Sequence, residues 1–250
     1  MESSRPIVMS IAGVDPSGGA GLLADIKTFE QHKVYGLGIS TAQTLQTENS
    51  FFSIRWEKES DILQSAEIML SHYAVKAVKI GIVQSSVILE KIVSLIHNKN
   101  SMIKIVIDPV IKSSSGFNFW DENQHDKLVA TLKNAYLITP NFEEACWLQS
   151  SLDAKDAAQK LSVNCNVLLK GGHNPAEPGV DYLYSNEQTI KLTTEDGTVY
   201  AKHGSGCVLS SAITANLALG YGLLKACENA KKYTHTFLSG NTTLLGYHHV

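Results

Sequence analysis

Cysteine is scarce in this chain. There are four in 250 residues, Cys146, Cys165, Cys207 and Cys227, and no two form a C-x-x-C pair. This excludes a disulfide scaffold and a cysteine-built zinc site, and it fits a reducing compartment. Long apolar runs are missing too. No stretch approaches the ~18 residues of a membrane span. The run 7–12 is too short for the apolar core of an export signal and is soon followed by Asp15 and Pro16. The expectation is a cytoplasmic protein with no membrane partner. There is no excess of one charge: the net charge is −3 with both signs interspersed, so no polyanion-binding face is expected and nucleic acid is not a partner. No repeat or low-complexity linker divides the chain. With 44% hydrophobic residues it reads as one large α/β domain over 1–250, two small domains being the alternative.

Two familiar nucleotide motifs are absent as well. The glycine-rich stretch 13–21 carries no closing Gly-Lys-Ser/Thr, so it is not a P-loop, and it lacks Gly-x-Gly-x-x-Gly, so it is not a dinucleotide fingerprint. What is present is a strand pattern at 7–12, that glycine loop, and then a helix with Leu22, Leu23, Ile26 and Phe29 on one face. Asp25 lies beside that apolar stripe, either as a solvated helix flank or as a ligand-reading group.

The second glycine element is His203-Gly204-Ser205-Gly206-Cys207, which feeds a small-residue apolar helix over 208–217. Glycines permit a tight turn and close ligand approach. The free amides of the first helical turn, with the positive end of the helix dipole, form an anion site. A thiol at that position is expected to have its pKa lowered from ~8.5 and to accept a proton near neutral pH. The alternative is a plain loop and cap followed by a buried cysteine.

Between these elements strands and helices alternate. Strands are expected at 38–45, 74–83, 103–107, 135–139 and 167–170, and a hairpin at 180–184 and 188–193. Helices are expected at 60–72, 86–97, 123–132, from Pro140 onward, at 153–161 and at 223–238. Such alternation argues for a largely parallel sheet covered on both faces. Its carboxyl edge then gathers residues 13–21, Asp108, Asn141 with Glu144, residues 170–173, and residues 204–207. An acid pair, a lysine and a nest of amides suit a magnesium-bound nucleotide and a phosphoryl group in transfer.

Several of these motifs occur together in one order. They are Ala12-Gly13-Val14-Asp15-Pro16-Ser17-Gly18-Gly19-Ala20-Gly21, Ala24-Asp25-Ile26-Lys27-Thr28-Phe29, Lys79-Ile80-Gly81, Asp108-Pro109-Val110, Ile138-Thr139-Pro140-Asn141 with Glu144-Ala145, Lys170-Gly171-Gly172-His173, and His203-Gly204-Ser205-Gly206-Cys207. Over nearly its whole length the chain resembles the ribokinase superfamily, and within it the hydroxymethylpyrimidine/phosphomethylpyrimidine kinases of thiamine biosynthesis.

The resemblance implies a three-layer α/β/α ribokinase-like fold acting as a homodimer; no extra β-rich insertion is evident after the first helix, so no separate lid domain is expected. It implies ATP and Mg2+ as cofactors and a pyrimidine alcohol, 4-amino-5-hydroxymethyl-2-methylpyrimidine, as substrate, with its monophosphate as a second substrate. Asn141 and Glu144 would form the magnesium and phosphate element. Asp108 and Lys170 would lie on the triphosphate side, with Asp108 and Glu144 toward the metal. Gly204, Ser205, Gly206 and Cys207 would form the anion hole. Gly13, Asp25, Gln46, Ile82 and Val110 would line the pyrimidine pocket. Cys207 stands where sugar-kinase relatives carry an aspartate base, and either takes the proton or positions the hydroxymethyl group.

The chain departs from the family pattern at Val208, in place of a threonine, at Leu45, Thr47 and Glu48 around Gln46, at Ile82, in place of a methionine, and at Lys112, placed earlier than usual. The loops 113–116 and 174–179 are candidates to gate the site. A pyridoxal kinase of the same fold is the near alternative, and a non-catalytic nucleotide- or vitamin-binding regulator the distant one.

Overall fold

Among the described residues nine strands form a single sheet in the order β3-β2-β1-β4-β5-β6-β7-β8-β9. The computed structural model describes residues 5–113, 116–172, 174, 176–193 and 197–248; Ser114, Ser115, His173 and Pro175 lie outside them. The strands are β1 (Ile7–Val14), β2 (Tyr35–Gln46), β3 (Phe51–Trp56), β4 (Val75–Ile80), β5 (Lys104–Ile107), β6 (Leu137–Ile138), β7 (Asn166–Leu169), β8 (Asp181–Ser185) and β9 (Gln188–Leu192). From β2 to β7 every neighbour is parallel; β3, β8 and β9 add antiparallel edges.

The helices are α1 (Gly21–Gln31), α2 (Glu59–His72), α3 (Ser86–Lys99), α4 (His125–Leu132), α5 (Phe142–Gln149), α6 (Ala154–Leu161), α7 (Ser205–Ala218) and α8 (Leu223–Ser239). Side chains alternate across the sheet as the pleat requires. In β5, Ile105 and Ile107 enter the core that contains Ile92 of α3 and Leu132 of α4, while Val106 enters the one that contains Leu209 of α7 and Ala226 of α8. Burying each such branched side chain contributes roughly 1.5–3 kcal/mol, which holds a β-branched run between two helical layers.

The β8–β9 hairpin turns through Asn186 and Glu187, both at positive φ (51° and 63°), as a two-residue hairpin demands. One expected feature needs correction. A β-rich element does follow the first helix: β2 runs on to Gln46 and turns back as β3, pairing Gln43 with Arg55 and Gln46 with Phe51. It is an extension of the same sheet and makes no separate lid. The exposed parts of β3 hid it, because its burial does not alternate cleanly.

The first helix is also rotated from expectation. Leu23 is exposed, whereas Asp25 is buried with Leu22, Ala24, Thr28 and Phe29. Among the described residues no helix is long and apolar enough to cross a membrane.

Strand order fixes where a ligand can sit. β1 has β2 on one side and β4 on the other, both parallel to it. The chain therefore departs in opposite directions around β1, and a crevice opens beyond its carboxyl end. The loop 13–21 occupies that position.

Candidate active site

Two glycine loops meet at this crevice. Gly21 has φ +59°, and a Cβ there would lie 2.3 Å from Gly13 O. Gly204, the residue before α7, has φ +75°, and a Cβ there would lie 2.0 Å from Gly19 O. Only glycine fits either position. Asp15 organises the first loop: its carboxylate accepts from Ser17 N, Ser17 Oγ and Ala20 N, and faces His203 Nε2 at 2.9 Å. Burial raises the Asp15 pKa, but the bonds from His203 and Ser17 outweigh it and hold the carboxyl below its ordinary range.

The start of α7 points at the charged cluster. A Cβ on Gly206 would lie 3.4 Å from Lys170 Nζ and 3.9 Å from Asp108 Oδ2. Lys170 follows β7 and donates to Asp108 Oδ1 at 2.6 Å, with Glu144 Oε2 3.8 Å away. Asp108 follows β5, where Pro109 ends the strand, and it also accepts from Thr139 Oγ1 (3.1 Å) and Ser210 Oγ (3.3 Å). Asn141 and Glu144 form a reciprocal capping box on α5: Glu144 N donates to Asn141 Oδ1 at 2.8 Å and Asn141 N to Glu144 Oε2 at 2.7 Å.

Burial and the nearby Asp108 raise the Glu144 carboxyl against the pull of Lys170, to about 7. Burial works against the Lys170 charge, but Asp108 and Glu144 raise its pKa. Two carboxylates and one ammonium in a confined space leave room for added positive charge. Among the described residues no group of three or more His, Cys, Asp and Glu could hold a metal. A magnesium ion here would take Asp108 and Glu144 from the protein and fill its shell with waters and phosphate oxygens, as hydrated magnesium prefers. The donor set fits.

Cys207 corrects an expectation. Burial is the largest influence and raises its thiol pKa; Asp25 and Asp108 act in the same direction. Lys79 and the Gly21 N–H oppose the rise but do not reverse it. The helix start alone therefore does not leave a free thiolate at neutral pH.

On the other wall, Gly13 and Ile82 touch: a Cβ on Gly13 would lie 2.6 Å from Ile82 Cδ1. Thr41 Oγ1 fixes the Ile82 carbonyl at 2.6 Å. Val110 lies just past Asp108, its carbonyl held by Trp120 Nε1 at 3.1 Å. Gln46 sits at the far end of β2, opposite Phe51.

Asp25 is neither a solvated flank nor open to the crevice. It is fully buried, Oδ1 accepting from Lys79 and Ser211 and Oδ2 from Lys79 and Ser10. The carboxylate's four acceptor positions are thus filled from within the protein. Lys79, Ser211, Thr139 and Ser210 were missed as site-supporting residues. The visible signal for Lys79 was a lone lysine on the inward face of an apolar strand.

With the geometry in place, the chain can be compared with known proteins. The family model described as phosphomethylpyrimidine kinase matches residues 15–250. The hydroxymethylpyrimidine/phosphomethylpyrimidine kinase of Aquifex aeolicus is 34% identical over 235 residues, covering 91% of this chain and 92% of that protein.

The chain belongs to the phosphomethylpyrimidine kinase family.

It is accordingly a phosphotransferase of the kind that serves thiamine synthesis. Among solved structures, the phosphomethylpyrimidine kinase of Clostridium difficile is similar with a TM-score of 0.76 at 32% identity, covering 91% of this chain and 96% of that one. Pyridoxal kinase from Staphylococcus aureus, in complex with ADP, is similar with a TM-score of 0.86 at 25% identity, covering 98% and 93%. These likenesses bear out the three-layer ribokinase-like fold. They also place kinases of two different vitamins on one backbone, so the family fold alone does not choose the acceptor.

Proposed function

We propose that this kinase transfers the γ-phosphoryl group of ATP, with Mg2+, to the hydroxymethyl oxygen of 4-amino-5-hydroxymethyl-2-methylpyrimidine. Its monophosphate is the acceptor of a second transfer. One observation carries the reading: the amide end of α7 at Gly206 opens onto the Lys170–Asp108 pair, and the same first turn carries Cys207. Those amides and Lys170 receive the charge of the transferring phosphoryl group. Asp108 and Glu144 would hold the magnesium ion, which would supply positive charge against the phosphate oxygens. Asn141 acts by capping α5, so that Glu144 keeps its place.

On the acceptor side Gly13, Ile82, Gln46 and Val110 surround the ring, with Asp25 acting from behind the wall. The thiolate form of Cys207 takes the hydroxyl proton as the hydroxymethyl oxygen bonds to the γ-phosphorus and the bond from that phosphorus to the β–γ bridging oxygen breaks, so that ADP leaves. The protein works as a single kinase domain, as a homodimer in the cytoplasm.

Incubation with MgATP and the alcohol, followed by mass measurement of the products, tests both transfers. Mono- and diphosphate are expected in turn; monophosphate alone would restrict the reading to one transfer. Pyridoxal is the second reading, favoured by the Staphylococcus aureus likeness. A pyridoxal kcat/KM more than about tenfold higher, ~1.4 kcal/mol, would replace the pyrimidine. If neither alcohol is phosphorylated while ATP still binds, both acceptor readings fail and the acceptor is another alcohol.

A further inference from the structure

Beneath the crevice the core is layered. Val8 of β1, Phe29 of α1, Ala77 of β4 and Ala215 of α7 meet in one apolar cluster. One step along each element toward the site, two residues on a strand and four on a helix, are Ser10, Asp25, Lys79 and Ser211. These four form the closed network described above, with Lys79 Nζ 2.8 and 3.0 Å from the two Asp25 oxygens and both side chains sealed from solvent. One further step brings Ala12, Gly21, Gly81 and Cys207. The Gly21 amide faces the Cys207 sulfur and favours its thiolate. A Cβ on Gly81 would lie 3.2 Å from Lys79 Nζ and 3.0 Å from Ala12 Cβ. The polar layer therefore lies directly under the layer that bears the thiol, one helical turn away (about 5.4 Å) along α7.

A buried ion pair is costly to desolvate and is weak evidence for stability. Replacing this one with apolar residues would suit the surrounding cluster. Asp25 uses two of the three ammonium protons of Lys79, and the ammonium is held rigidly. We propose that Lys79, anchored by Asp25, is a positioning residue for Cys207: it is the fixed positive charge under the sulfur when the thiol gives up its proton. The inference rests on the reading of Cys207 as the acceptor-side group. The charged groups that face the sulfur are Lys79 from β4, Asp25 from α1, Asp108 past β5 and Lys170 past β7. Lys79 is the foremost of those that favour the thiolate. Burial disfavours the Lys79 charge, but Asp25, Cys207 and Asp108 keep its pKa above the ordinary lysine value.

The test reads the sulfur itself. Purified protein is alkylated with iodoacetamide across a range of pH, and the peptide bearing Cys207 is followed by mass, apart from the other three cysteines. Alkylation tracks the thiolate. Lys79→Met is expected to slow it by about tenfold at a fixed pH below the midpoint, because the thiolate becomes scarcer once its positive neighbour is gone. Asp25→Asn, which removes the opposing negative charge, is expected to speed it. A disordered site would move both variants in one direction. If Lys79→Met does not fold, the doubly neutral Asp25→Asn/Lys79→Met variant carries the test, and slowing is again expected because Lys79 Nζ reaches the thiol's layer, 3.2 Å from a Cβ on Gly81. A profile that coincides with the parent protein, or changes of the same sign in the two single variants, overturns the proposal. Turnover is measured separately: if alkylation responds as expected but Cys207→Ala keeps its full rate, the electrostatic pairing stands and the catalytic reading of Cys207 fails.

Discussion

His203 Nε2 lies 2.9 Å from Asp15 Oδ2, joining two glycine loops that are 188 residues apart in the chain. The loop after β1 and the start of α7 are thus one mechanical unit. A hydrogen bond to a charged group is worth about 1.5–3 kcal/mol. His203→Ala should lower kcat roughly tenfold or more, as a misplaced site does. His203→Gln keeps an N–H donor and should recover most of the loss. Steady-state kinetics on both variants check this. Asp15 adds an acid dependence. Its native pKa is below the ordinary 3.8, so its stabilisation is full above that value and is lost as pH falls through the native one. Asp15→Asn should flatten that acid limb in thermal melts.

Two neighbouring glycines should behave differently on substitution. Gly204→Ala puts a Cβ 2.0 Å from a backbone oxygen at φ +75°. The strained conformation alone costs on the order of 1–3 kcal/mol, and the clash adds to it, so a lowered Tm is expected. Gly206→Ala meets only Lys170 Nζ at 3.4 Å and Asp108 Oδ2 at 3.9 Å. It should fold normally but obstruct the phosphoryl site, with kcat down by on the order of 10²-fold, comparable to losing one oxyanion donor. Melting curves and turnover, measured side by side, separate the two effects.

Glu144 is pushed up to about 7 by burial and by Asp108. Its native pKa exceeds the ordinary 4.5, so ionising it costs stability progressively as pH rises from that value through 7. A magnesium ion needs the ionised form. MgATP affinity should therefore weaken as pH falls below about 7 and should plateau above it, with a proton released on binding. Glu144→Gln should remove that pH dependence and bind MgATP at least about tenfold more weakly, ~1.4 kcal/mol. Calorimetry in two buffers of different ionisation enthalpy measures both quantities.

In the proposed function Cys207 sets the alkaline limb. Burial raises its thiol above the ordinary 9.0, and the thiolate fraction climbs until pH passes the native value. The rate at saturating substrate should keep rising beyond pH 9. Cys207→Ala should abolish that rise and reduce turnover by on the order of 10²–10⁴-fold, the range of a lost general base. A rate that is already level at pH 8, or an alanine variant with the parent profile, would deny the sulfur this role.

Much of the architecture was legible before any coordinates. The strand at 103–107 is β-branched except at Lys104, and it appears as β5 with Asp108 at its tip. The glycine stretch 13–21 follows β1 because strand, tight loop and helix are local properties, set by periods of two and 3.6 residues and by the freedom of glycine. The expected gathering of Asp108, Glu144, Lys170 and Gly206 required only parallel strands, and the structure brings these four together. β3 was not legible, since a half-exposed edge strand such as Phe51–Trp56 carries no clean alternation.

The sequence by itself determined the alternating elements, the two glycine loops and the order of the phosphate-side motifs. Each of these is decided by residues close together in the chain. Only the tertiary structure decided that Asp25 is sealed against Lys79, 54 residues away, and against Ser211, 186 residues away. It alone decided that the Cys207 thiol is raised rather than lowered. The charge state of a buried group depends on which distant dipoles and ions surround it and on how much water they displace, and neither is encoded in the spacing of neighbouring residues.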